Sequence, residues 1–145
     1  MPADAFYEWQ KLDAKNKQPF AIAMKDGKPY ALAGLWEKWK DRRADFDMLT
    51  FTVITTDPNE LVEPMHDRIP VIIPQKDYDR WLTAPPDRLP IDLLRPFDAD
   101  KMTAWKMDKA VGNVKNDTPE LIEPSTSSES SADSPSQTPG LLFGS

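Results

Sequence analysis

"PFAIAMKDGKPYALAGLW", residues 19–36, is the stretch on which the reading of the fold turns. Phe20, Ile22 and Met24 alternate with small or polar neighbours, Asp26-Gly27 supplies a turn, and Tyr30 and Leu32 resume the alternation. The pattern predicts a β-hairpin, and with it a sheet whose neighbouring strands run antiparallel. Pro29 withdraws one backbone donor, so the second strand is expected at an edge or paired on one side there. Downstream, "MLTFTVITT" (48–56) is a β-branched and aromatic run and reads as a strand. "DPNELVEP" (57–64) predicts a short helix: Asp57 as N-cap, Pro58 at the first helical position, Glu60 at capping-box spacing, and an end near Pro64. "HDRIPVIIP" leads into a strand at about 69–73, and "KDYDRWLTA" predicts a second short helix with Tyr78, Trp81 and Leu82 toward a core. "AVGNVKN" (110–116) reads as a turn-rich closing segment. The expected fold class is α+β, mostly antiparallel, with a barrel-like sheet and short flanking helices.

Composition divides the 145 residues into a domain over 1–124 and a Ser/Pro/acidic tail over 125–145, which is too poor in apolar surface to offset its ordering entropy and is expected to be disordered. The net charge of −6 comes mostly from the C-terminal end: residues 117–145 hold five acids and no Lys or Arg, leaving 19 acids and 18 bases in the rest. A local basic groove on the domain is therefore compatible with the acidic total. There is no cysteine and one histidine, which argues against disulfides, thiolate metal sites, a zinc site or a cysteine nucleophile in this chain; no metal and no cofactor are expected. No apolar run approaches the roughly 20 residues of a membrane span, and "MPADAFYEWQ" lacks the basic and apolar regions of a secretory signal. A cytoplasmic monomer is the expectation. Internal repeats, a P-loop and a dinucleotide fingerprint are all missing from the sequence.

Two places carry chemistry. "ADAFYEWQK" (3–11) sets Glu8 among Phe6, Tyr7 and Trp9. As a half-buried strand it would show Tyr7, Trp9 and Lys11 on one face and Phe6, Glu8 and Gln10 on the other. A carboxyl beside aromatic rings loses hydration, which raises its pKa toward the range useful for proton transfer. His66 stands in a loop between an expected helix and strand, where functional residues concentrate, and it titrates nearest neutral pH. Asp67 and Arg68 beside it could orient it or bind a phosphate; an ordinary solvated ion pair is the plainer reading. Thr55 and Thr56 end the preceding strand, facing this loop. On residue type alone the structural and the catalytic readings of Glu8 and His66 both stand.

Taken in order, "ADAFYEW" (3–9), "PFAIAMKDGKPYALAGLWEKW" (19–39), "TFTVITTDPNELVEPMHDRIPVII" (50–73) and "AVGNVKNDTPELIEP" (110–124) resemble the SOS response-associated peptidase family of abasic-site processing proteins. The resemblance implies a protein that binds single-stranded DNA and traps abasic sites: a cysteine exposed by autocatalytic removal of the initiator Met attacks the ring-opened sugar aldehyde and leaves a thiazolidine cross-link. It implies peptidase and lyase-type chemistry. The family's glutamate falls on Glu8 and its histidine on His66, as the catalytic pair; a supporting threonine falls on Thr55, and Arg68 lies where DNA phosphate would run. Trp36, Trp39 and Trp9 could offer stacking surfaces for splayed bases, with Arg42 and Arg43 near the backbone; core packing is the plainer reading for at least two of the tryptophans. The partner so implied is single-stranded DNA carrying abasic sites, with a nucleoid-associated location when bound.

The sequence also departs from that family. Members begin Met-Cys-Gly-Arg and place a long segment, with an "N-A-R-x-E" motif, before "F-Y-E-W". This chain has no cysteine and reaches "FYEW" at residue 6, so the expectation is an N-terminally truncated domain that is inactive as given. A non-catalytic DNA-binding remnant and the unstable product of a broken reading frame are the alternatives. Limited proteolysis of the isolated chain should remove residues beyond about 124 first; protection of 125–139 would contradict the division into domain and tail.

Overall fold

The computed structural model describes residues 1–41 and 46–125. Among these residues ten strands run in the order β1 (Pro2–Ala3), β2 (Ala5–Lys11), β3 (Lys17–Met24), β4 (Tyr30–Leu32), β5 (Gly34–Asp41), β6 (Phe46–Val53), β7 (Thr55–Thr56), β8 (Ile69–Pro70), β9 (Ile72–Ile73) and β10 (Met102–Lys106), with one α-helix, α1 (Tyr78–Leu82), and several single 3-10 turns. All the ladders are antiparallel. They form small sheets in the orders β10-β3-β2, β1-β4-β9, β5-β6 and β7-β8, so the described strands make an α+β fold of abutting sheets and not a closed barrel.

The opening hairpin is half right. The turn forms: the Gly27 amide donates to the Met24 carbonyl at 3.0 Å, and Gly27 takes a φ of 68° that favours glycine. The strands it joins do not pair with each other. β3 is the centre of its sheet, with β2 on one edge and β10 on the other, so neither edge is vacant for β4. Pro29, without an N–H, lets the chain leave, and β4 pairs with β1 and β9. The two sheets remain tied through the buried Tyr30, whose hydroxyl donates to the Ile22 carbonyl at 3.2 Å.

A backbone junction organises the middle of the chain. β4–β5, β6–β7 and β8–β9 are three extended runs, each interrupted by one residue: Ala33, Ile54 and Val71. At that level the three residues bond in a ring. The Ala33 amide donates to Val71 (2.8 Å), the Val71 amide to Ile54 (2.9 Å) and the Ile54 amide to Ala33 (3.0 Å). Each run changes partner there: β4 pairs with β9, β5 with β6, and β7 with β8. The ring leaves no donor unsatisfied where three sheets meet, which its burial requires. Ala33 and Val71 are fully buried with Ile73 and Leu93, and Ile54, Tyr78 and Trp81 pack on them. A larger core of Ile22, Tyr30, Leu32, Val62, Ile69, Ile72 and Met102 lies under the sheets on the other side of the β4–β9 ladder.

Two further expectations need correcting. Residues 60–65 are turns, not a helix. The cap is Asn59 instead of Asp57: its Oδ1 accepts from the Val62 amide (3.1 Å) and its Nδ2 donates to the Phe97 carbonyl (2.8 Å). A turn that starts at a pinned Asn59 meets Pro64 before a helix can propagate. The second helix does form, but over five residues only; Tyr78 and Trp81 pack inward, while Leu82 is 78% exposed. The expected tail falls almost wholly outside the described residues.

Val71→Ala should cost about 1–3 kcal/mol, because it empties space at a fully buried position beside the ring. Leu82→Ala should stay within about 0.5 kcal/mol. Urea unfolding midpoints with an unchanged m-value are the check.

Candidate active site

The β2 strand is built as its alternation dictates: Phe6, Glu8 and Gln10 are half-buried, whereas Tyr7, Trp9 and Lys11 face outward. Tyr7 and Trp9 meet edge to face, 6.5 Å between ring centres. On the inner face, Phe6 packs on the main core and Glu8 stands opposite Phe20 of β3.

The loop over 57–68 comes down on this face. Its two ends are brought together by the β7–β8 ladder, in which Thr55 is opposite Pro70 and Thr56 opposite Ile69. Its middle is anchored by Asn59, by the buried Val62, and by Leu61 and Met65 on the core. The amides of Met65 and His66 both donate to the Val62 carbonyl, at 2.8 and 3.0 Å. Gln10 reaches across to the same loop, with Nε2 donating to the Pro64 carbonyl at 3.0 Å.

Glu8 and His66 thereby come within electrostatic range of each other. Partial burial raises the Glu8 carboxyl above its ordinary range; the His66 imidazole and the Trp9 backbone amide draw it down, and the Asp67 carboxylate pushes it up again. The His66 ring is itself oriented. Its Nδ1 accepts from the Arg68 amide at 3.2 Å and lies 3.2 Å from an Asp67 carboxylate oxygen. Nδ1 cannot serve both at once. In the neutral ring it accepts from Arg68, which leaves the proton on Nε2; in the imidazolium Nδ1–H turns to Asp67. Either way a protonated Nε2 is available, with the neighbouring residues taking up the change at Nδ1.

The remaining expected residues are more scattered. Arg68 leads directly into β8, so its place is fixed relative to His66 and, through the ladder, to the exposed Thr55. Trp36 and Trp39 lie on the β5–β6 hairpin, 75% and 50% exposed, but on opposite faces: Trp36 is beside Phe51, Trp39 beside Met48. One base-stacking platform can include only one of them. Arg42 and Arg43 lie outside the described residues. Asn59 and Gln10 were not singled out from sequence. Asn59 had a usable signal, a cap-type residue three before Val62; Gln10 had none, since its partner is 54 residues away. Among the described residues no group of three or more His, Cys, Asp or Glu is arranged to hold a metal, and no helix is long and apolar enough to cross a membrane.

Residues 1–114 match the family model described as SOS response associated peptidase (SRAP). The abasic site processing protein YoqW of Bacillus subtilis is 46% identical over 126 residues, covering 85% of this chain and 55% of that relative. The abasic site processing protein HMCES of Gallus gallus is 29% identical over 143 residues, covering 84% and 42%. A solved protein from Bacteroides thetaiotaomicron superposes with a TM-score of 0.76 at 29% identity, over 86% of this chain and 55% of that one. Fold and sequence thus define a class of protein built on this antiparallel α+β scaffold, and the chain belongs to the SRAP family. It spans about half the length of the curated relatives it matches.

Glu8 also sets a pH dependence. The unfolded chain titrates near the ordinary value of 4.5 and the folded chain above it, so the folded state holds the extra proton between the two. Stability from this group is full below about pH 4, falls as pH rises through the folded pKa, and is level beyond it. Glu8→Gln, which mimics the protonated carboxyl, should gain in Tm relative to the unchanged chain between about pH 4 and about pH 7. Thermal melts at the two pH values test this; a constant difference would contradict the raised carboxyl.

Proposed function

We propose that this chain carries the acid–base half of an abasic-site processing protein, acting on single-stranded DNA in which a base has been lost. The observation that carries the reading is the convergence of a desolvated carboxyl, Glu8, and an oriented imidazole, His66, from segments more than fifty residues apart. An abasic sugar is mostly a closed hemiacetal, and opening it needs a proton at the ring oxygen. His66 Nε2–H suits that step. Capture of the exposed aldehyde by an amine then needs a proton taken from nitrogen and one given to the departing hydroxyl. A carboxyl raised above its ordinary range by burial suits both. Arg68 would meet the phosphate beside the lesion, and Trp36 with Phe51 would offer a face for an unstacked base. Thr55, across the ladder from Pro70, would support the loop. The protein would work in the cytoplasm, at the nucleoid when bound.

The sequence holds no cysteine, so the thiol of the family's cross-link is not supplied by these 145 residues. That fact favours a second reading, in which the chain by itself binds the strand without trapping it. Both readings place DNA across Glu8, His66 and Arg68.

The chain as given should bind an abasic oligonucleotide without yielding a heat-stable band on a denaturing gel; a band that forms without borohydride would refute this. Joined in frame to an N-terminal segment that begins Met-Cys-Gly-Arg, as the family resemblance implies, it should cross-link, and Glu8→Gln should slow that reaction by about 10²-fold. Arg68→Ala should lower non-covalent affinity with less effect on the cross-linking rate. Cross-linking by Glu8→Gln at the parental rate would leave Glu8 as a polar strand residue only.

A further inference from the structure

The β2 face holds the His66 loop at two points, one on each side of Glu8. On one side, Phe6 packs on the core that takes up Val62 and Met65. On the other, Gln10 Nε2 donates to the Pro64 carbonyl at 3.0 Å. Phe6, Glu8 and Gln10 are successive residues on one face, spaced by about 7 Å. Pro64 has no N–H, so its carbonyl is the one backbone hydrogen-bonding group that this residue itself offers. The bond fixes the peptide between Pro64 and Met65, immediately before His66. The Val62 carbonyl, which accepts from both Met65 and His66, carries that restraint into the turn leading to the imidazole. Asn59 anchors the same segment at its other end, through Phe97 and Val62. Without Gln10 the segment from Pro64 to Arg68 would lose its hydrogen bond to β2 and be held by the Met65 side chain, the Val62 carbonyl and the β8 ladder.

We infer that Gln10 is a positioning residue, which keeps the His66 loop seated on β2 so that the imidazole stays within reach of the Glu8 carboxyl. The inference rests on the pairing of Glu8 with His66 proposed above. Gln10 acts through the Pro64 carbonyl, not on the reacting groups.

The test is a carbon-13 NMR titration of the Glu8 carboxyl in the full chain, with and without His66→Gln. The charged groups that act on Glu8 are His66 and Asp67, and only the first is varied. Removing the imidazole should raise the Glu8 midpoint. In a Gln10→Met background, which keeps the side-chain length and loses the donor, the same removal should move the midpoint less than half as far. Gln10→Lys, which restores a donor to the Pro64 carbonyl, should recover the larger shift. Thermal unfolding of Gln10→Met should stay within a few degrees of the unchanged chain, since the bond is at the surface. Equal shifts in the unchanged chain and in the Gln10→Met background, or no recovery with Gln10→Lys, overturn the role given to Gln10. A Glu8 midpoint that ignores His66→Gln with Gln10 present overturns instead the pairing on which that role rests.

Discussion

Three backbone amides bonded in a ring, Ala33 to Val71 to Ile54 and back to Ala33, are the constraint on which the rest of the molecule depends. A strand interior has its donors and acceptors committed to neighbours on each side. Here three extended runs change partners at one level, and each would bury an orphan amide at the crossing. The ring removes that cost. Its residues are small or β-branched, which suits a place where three sheets approach closely: Ala33 and Val71 are fully buried there. Because the ring sets the registers on all sides, it also fixes the β7–β8 ladder, and that ladder closes the loop bearing His66.

The site follows from that closure and from β2. A loop of twelve residues between ladder ends would ordinarily be free to sample many positions. This one is held in its middle by a buried asparagine, by Val62, Leu61 and Met65 on the core, and by Gln10 at its far side. The result is a carboxyl and an imidazole placed together in a partly dehydrated setting, each with its own partners. Burial raises the carboxyl, the imidazole lowers it and the Asp67 carboxylate raises it again.

The β5–β6 hairpin is built differently. Leu35, Trp36, Trp39, Phe46, Met48, Leu49 and Phe51 are each at least 41% exposed, spread over both of its faces. A two-stranded ribbon has no core of its own. Apolar side chains so exposed on both faces of one ribbon are uncommon on an ordinary exterior. With Met1, Leu32, Ile73, Tyr78, Trp81 and Leu82 the hairpin walls a groove of about 510 Å³. The matched region covers about half the length of the curated relatives.

The sequence by itself determined the strand character of 19–24 and 48–53, the inward face of β2 with Glu8 on it, the glycine turn at 27 and the family, and it singled out Glu8 and His66 as the residues of the proposed chemistry. These are local properties: alternation, β-branching, turn chemistry and short motifs are written in adjacent residues. Tertiary structure decided the rest. Whether β4 pairs with β3 depended on β3's edges being taken by β2 and β10. Whether 57–64 coils into a helix depended on Phe97 and Met102, which hold Asn59 from forty residues away. That Gln10 grips Pro64 followed from how the loop folds back. Each of these turns on a partner distant in the chain, and a hydrogen bond or a filled sheet edge leaves no mark on the residues flanking it in sequence.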